Sequence, residues 1–148
     1  MPLIRLLLAG VLLAGRAAAA PSCSVTATNV AFGTYNPANP ALAYTGTLRV
    51  LCSSGPTTFT IALGAGSSGT ILARTMKNGA ATLAYQLYTD AAHTRIWGNG
   101  TAGVVVGPFT TGSGAFVGAF TVYGLLRPGQ NTPAGLYVDT VVAQVIYR

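Results

Sequence analysis

Polar and apolar residues alternate along most of this chain with a period of two. In "CSVTATNVAF", Cys23, Val25 and Ala27 alternate with Ser24, Thr26 and Thr28. "YTGTLRVLC" sets Leu48 and Val50 against Thr47, Arg49 and Leu51, and "TTFTIALG" sets Phe59, Ile61 and Leu63 against Thr58, Thr60 and Ala62. "LAYQLYT", "AFVGAFTVYG" and "LYVDTVVAQVIYR" continue the pattern. Successive side chains of a strand point to opposite faces, so this period predicts half-buried β-strands. The segments are rich in Val, Thr, Tyr and Phe. Turn formers separate them: Asn36-Pro37, Asn39-Pro40, Gly64 to Gly69, Asn78-Gly79, Gly98 to Gly100, Gly112 to Gly114 and Pro128-Gly129. "YNPANPALAY" and "GVVVGPFTTG" read as hairpin connections. Helical spacing with caps is absent after the leader described below. About six to eight short strands, without a linker or an internal repeat, predict one antiparallel β-sandwich of immunoglobulin-like type.

The opening "MPLIRLLLAGVLLAGRAAAA" breaks this pattern. A basic start at Arg5, an uncharged stretch from Leu6 to Gly15 and the small residues Ala17 to Ala20 predict a secretory signal peptide. The apolar stretch is far shorter than the ~20 residues that span a bilayer, so no retained membrane anchor is expected. The domain plan is a leader over 1–20, cut within a residue or two of Ala20, and a single exported, soluble domain over 21–148. Outside the leader, Arg49, Arg74, Lys77, Arg95, Arg127 and Arg148 face Asp90 and Asp139, a net charge of +4. These six cations are scattered singly, which predicts solvated surface charges and argues against a nucleic-acid partner.

Cys23 and Cys52 are the only cysteines. An even count in an exported domain predicts one disulfide, worth about 3–4 kcal/mol in the loop-entropy view. Two Cys and one His offer no fourth ligand at a recognisable spacing, so no metal or cofactor is expected.

The best candidate for chemistry is "TDAAHTRIWGNG", residues 89–100, with the only His, the only Trp and one of two Asp. Asp90, His93 and Arg95 crowd within it. Yet the chain has no Glu, and general acid–base work calls for a tuned pair of groups. Asp139 alternates with apolar neighbours and reads as a solvent-facing strand residue. Ser22, Ser53, Ser67 and Ser113 lack a nucleophile-elbow context, and "GAGSSG" at 64–69 lacks the Lys and helix of a phosphate loop. Asp90 reads as a turn former that takes nearby N–H groups, His93 as an exposed turn residue, and Trp97 as a core residue of the next short strand. No catalytic residue is assigned.

Together, "CSVTATNVAFGTYNP", "GTLRVLC", "ALGAGSSG", "RTM", "LAYQLYTDAAHTRIWGNGT" and "FTVYGLLRPGQNTPAGLYVDTVVAQVIY" resemble the spore coat protein U family, which includes subunits of archaic chaperone–usher pili. The resemblance runs in order from Cys23 to Tyr147. Where the family's aspartate-rich turn usually carries Arg, this chain has His93, which weighs further against catalysis there. The resemblance implies a secreted, non-enzymatic subunit with an immunoglobulin-like fold lacking its last strand. A periplasmic chaperone, and then an N-terminal extension of the next subunit, would supply that strand. The partners implied are the chaperone, an outer-membrane usher and other pilus subunits, and the destination is the cell surface.

The last alternating run stops at Arg148, which fits a missing strand, and the acceptor edge is expected at Leu136, Val138, Val142 and Ile146. Only two or three residues would precede Cys23 after cleavage, whereas polymerising pilins carry a longer donor segment there. That points to a terminal or accessory subunit. The alternatives are a spore or cyst coat protein, or a tip adhesin that binds a surface or carbohydrate through loop tips such as "YNPANPALAY" or "GVVVGPFTTG".

Overall fold

The structure, a computed structural model, describes residues 19–148. The leader expected over 1–20 therefore lies, apart from Ala19 and Ala20, outside the described residues. Eight strands follow one another: β1 (Cys23–Ala27), β2 (Leu42–Cys52), β3 (Thr58–Leu63), β4 (Thr75–Asn78), β5 (Ala81–Tyr88), β6 (Val106–Thr110), β7 (Phe116–Leu126) and β8 (Ala143–Tyr147). Two single-turn 3-10 segments, Gly66–Ser68 and Ile71–Ala73, link β3 to β4. The strands form a five-stranded sheet in the order β1-β2-β7-β5-β4 and a three-stranded sheet in the order β6-β3-β8. All pairings between them are antiparallel. The all-β sandwich expected from the period of two is what the chain forms. No helix of the described residues is long and apolar enough to cross a membrane.

The alternation sets the core directly. On β2, Leu48, Val50 and Cys52 are buried while Thr47, Arg49 and Leu51 face out. On β3, Phe59, Ile61 and Leu63 enter the core, and Ala62 is buried as well. Trp97 is 1% exposed, and its indole N–H donates to the Ile61 carbonyl at 3.0 Å, so the one Trp bridges the 89–105 connection to β3. Cys23 and Cys52 are bonded, as expected, and lie directly opposite each other where β1 pairs with β2.

The structure departs from the sequence pattern at three places. β4 has only four residues, too few to show a period, and Gly79, at φ 58°, turns it into β5 at the expected Asn78-Gly79 turn. "GVVVGPFTTG" is not merely a connection, because Val106–Thr110 forms β6 against β3. The register breaks between Phe59 and Ile61 opposite Gly107-Pro108, and β6 is an edge strand, where a proline is tolerated. Finally, Leu136 to Tyr147 is not one continuous strand. Val138 pairs with Lys77 beside the five-stranded sheet; the chain then crosses over, and only Ala143–Tyr147 pairs with β3.

Candidate functional site

An open cleft of about 510 Å³ enters between the two sheets. Its floor is the core, with Leu48, Leu63, Leu83, Leu87 and Val122 among its lining. One wall is the start of the long β1–β2 connection, Ala27 to Gly33, and the other is the segment from Leu136 to Ala143. The second wall is held in place by polar contacts outside regular strands. The Tyr35 hydroxyl donates to the Gln130 carbonyl at 3.0 Å and accepts from the Gln130 N–H at 2.9 Å. The Gln130 side chain bonds both backbone groups of Ala84, and Tyr35 meets Tyr137 edge to face.

The strands bordering the cleft, β1 and β8, are both sheet edges. Arg148 and Thr58 exchange two backbone bonds at 3.0 Å, and the Gly64 N–H donates to Val142. In an antiparallel ladder such pairs alternate, so the even-numbered residues of β8 spend their backbone groups on β3. Ala143, Val145 and Tyr147 therefore direct N–H and C=O toward the open edge. The bonds of Ser22 to Ser53 and Thr28 to Thr47 set the same parity on β1, where Cys23, Val25 and Ala27 point outward along the edge. Among the described residues, two rows of backbone groups without a hydrogen-bonded neighbouring strand thus meet the apolar opening at Ala27 and Ala143, which line it.

The side chains of the last run divide between two faces. Tyr137 is buried, and Val141, Ala143 and Val145 pack against the core. Leu136, Val138, Val142 and Ile146 are 65%, 62%, 60% and 55% exposed. Leu136 and Val138 line the cleft at its mouth, whereas Val142 and Ile146 do not line it. Period two alone defines two faces and does not say which is inner. The crossing at 139–142 decides that here.

Two charged residues also depart from the surface role expected of them. Arg74 is 0% exposed. Its guanidinium donates to the carbonyls of Gly64 (2.6 and 3.0 Å) and Trp97 (2.8 Å) and to Gln86 Oε1 (2.6 Å). Gln86 is buried in turn, and its amide donates to Ile71 at 3.0 Å. This explains why Tyr85 to Tyr88 are all buried: the connection carrying Ile71 and Arg74 covers the outer face of β5. Burial pushes the Arg74 pKa down, while nearby Tyr85 and Asp139 pull it up. Asp139 does not face solvent from a strand. It is half-buried in the cleft wall and accepts from the Tyr85 hydroxyl (2.6 Å) and the Ser67 and Thr140 N–H groups (both 2.8 Å).

The 89–95 stretch is a turn. Asp90 accepts from the Thr94 hydroxyl at 2.7 Å and from the Thr94 and Arg95 N–H groups at 3.1 and 2.8 Å. His93, at φ 54°, is half-buried rather than fully exposed, with its ring edge-on to Tyr88. The bond from Thr94 is the main cause holding the Asp90 carboxyl below its ordinary range. A depressed folded pKa means that the turn's stabilisation is present above the unfolded value and lost as pH falls through the folded one. The Thr94 and Arg95 amide resonances should stay fixed from neutrality to about pH 4 and move only below it. In Asp90→Asn that movement should vanish. Among the described residues no three His, Cys, Asp or Glu side chains gather as a metal site.

Comparison with known proteins agrees with this architecture. The model of the Spore Coat Protein U domain family matches residues 9–144. Protein U of Myxococcus xanthus is 42% identical over 130 residues, covering 78% of this chain and 70% of that protein. Among solved structures, a chain of the CsuC-CsuE chaperone-tip adhesion subunit pre-assembly complex, from archaic chaperone-usher Csu pili of Acinetobacter baumannii, superposes with a TM-score of 0.57. The identity is 23%, over 85% of this chain and 40% of that one, so the likeness is one of fold and spans less than half of the larger chain. On the family match and the relationship to Protein U, this chain belongs to the spore coat protein U family.

Proposed function

We propose that this protein is a non-enzymatic structural subunit of a surface chaperone–usher pilus, and that its cleft accepts an extended segment of another polypeptide as an added strand. The observation that carries this reading is the pair of open edges on β1 and β8 beside an apolar cleft. A segment laid along β8 would satisfy the outward N–H and C=O groups of Ala143, Val145 and Tyr147, and its alternate side chains would fill the cleft, which is β-augmentation. The source of that segment is a periplasmic chaperone first and a neighbouring subunit later, with an outer-membrane usher handling export. Residues 1–20 act as the signal peptide in this reading.

Residues of β1 and β8 already have Cα atoms within 8 Å of each other. A strand seated between two others needs two spacings of about 4.8 Å, so β1 and the 27–33 wall must move outward on binding. The test compares the domain alone, with its chaperone, and with an alternating Val/Thr strand fused after Arg148. Ligand that binds only the folded state stabilises it, by about 2.7 kcal/mol at 100 times Kd. The chaperone and the fused strand should therefore each raise Tm. A soluble, stable domain with the same Tm in all three forms would show that the sandwich needs no added strand.

A further inference from the structure

Among the described residues, Asp139 is the one charged residue that lines the cleft, whose other lining is mostly aliphatic and aromatic. A carboxylate offers about four acceptor positions on its two oxygens. Three are taken: Oδ1 accepts from Ser67 and Thr140, and Oδ2 from Tyr85. Arg74 directs its N–H groups at carbonyls and at Gln86, so it supports Asp139 through space without bonding it. Burial and the bond to Asp139 hold the Tyr85 phenol far above its ordinary range, so it stays a donor. Gly66 contributes too, because a side chain there would collide with the Asp139 carboxylate. These contacts hold a fixed acceptor, with one free position on Oδ2, in the cleft wall just before β8.

We infer that Asp139 selects the strand that enters the cleft: the partner segment carries a basic side chain at the one inward position abreast of Asp139 and apolar side chains at its other inward positions. This rests on the strand-acceptor reading and adds the chemistry of the partner. A lysine inserted elsewhere in the cleft would meet no carboxylate, and its ammonium would lose water without a charged partner. Abreast of Asp139 it gains a charge-assisted bond, whereas a glutamate there would meet a like charge in a poorly hydrated site.

The experiment measures binding of alternating Val/Thr peptides to the full exported chain. An all-apolar reference is compared with peptides in which each inward valine is replaced in turn by Lys or by Glu. Lys should be tolerated or favoured at a single position toward one end of the peptide and should weaken binding about 10-fold or more at every other inward position. Glu should weaken binding at all of them. Asp139→Asn keeps the shape and should abolish the single-position preference. Tyr85→Phe, which frees another acceptor position on Oδ2, should retain or sharpen it. Uniform rejection of Lys by a protein that binds the apolar peptide would overturn this inference alone, as would a preference that survives in Asp139→Asn. Failure of every peptide to bind would overturn the acceptor reading and this inference with it.

Discussion

Replacing Arg74 with alanine should cost about 3–5 kcal/mol of folding stability, more than any surface substitution in this protein. The reason is what the guanidinium leaves behind. The Gly64 and Trp97 carbonyls and one bond to Gln86 would lose their donor in a region closed to solvent. An unsatisfied buried acceptor costs about 1–3 kcal/mol, and the cavity adds to that. Lysine recovers only part of the loss. Its compact ammonium cannot reproduce the planar fork that reaches acceptors on three separate segments at once. Urea unfolding should rank the wild type above Arg74→Lys, and Arg74→Lys above Arg74→Ala. A loss in Arg74→Ala below about 1 kcal/mol would mean that water replaces the guanidinium. The consequence reaches the cleft, because Arg74 ties the end of β3 to the connection after Trp97, and Leu63 lines the cleft floor.

Removing the disulfide should be nearly as costly, about 3–4 kcal/mol by the loop-entropy relation for its 29-residue separation. It should also act locally. β1 has only five residues, pairs with β2 alone and leads directly into the 27–33 wall of the cleft. With Cys23 and Cys52 both changed to Ser, five antiparallel pairs must hold an edge strand that was also covalently pinned. Hydrogen exchange should accelerate over residues 23–33 more than over β5 or β7, and added-strand binding should weaken because its outer wall no longer has a fixed hinge. Exchange that rises equally in every strand would show that the bond stabilises the fold globally and has no special hold on the wall.

Much of this architecture was legible from local pattern. Alternation at Leu48/Val50 and Phe59/Ile61/Leu63 places those residues inside any sandwich built from them, because the pleat puts successive side chains on opposite faces. The Cys23–Cys52 bond followed from count and compartment, and the Asp90 turn from the habit of a short carboxylate to take the N–H groups just ahead of it. The sequence by itself thus determined which residues share a strand face, the class of fold, the crosslink and the turn. Tertiary structure decided the rest. Arg74 is a single cation beside a glycine-rich stretch, and no local signal says that the Gly64 and Trp97 carbonyls and the Gln86 amide, from separate segments, converge on it. Asp139 alternates with apolar residues as a surface strand residue would, yet Tyr85 and Ser67, distant in sequence, draw it into the cleft wall. That capture and the pairing of Val138 with Lys77 split the last run, and the inward face falls to Tyr137, Val141, Ala143 and Val145. Alternation along a chain defines two faces but is blind to which one meets the core, because that choice depends on hydrogen-bond partners that only the assembled sheets bring together.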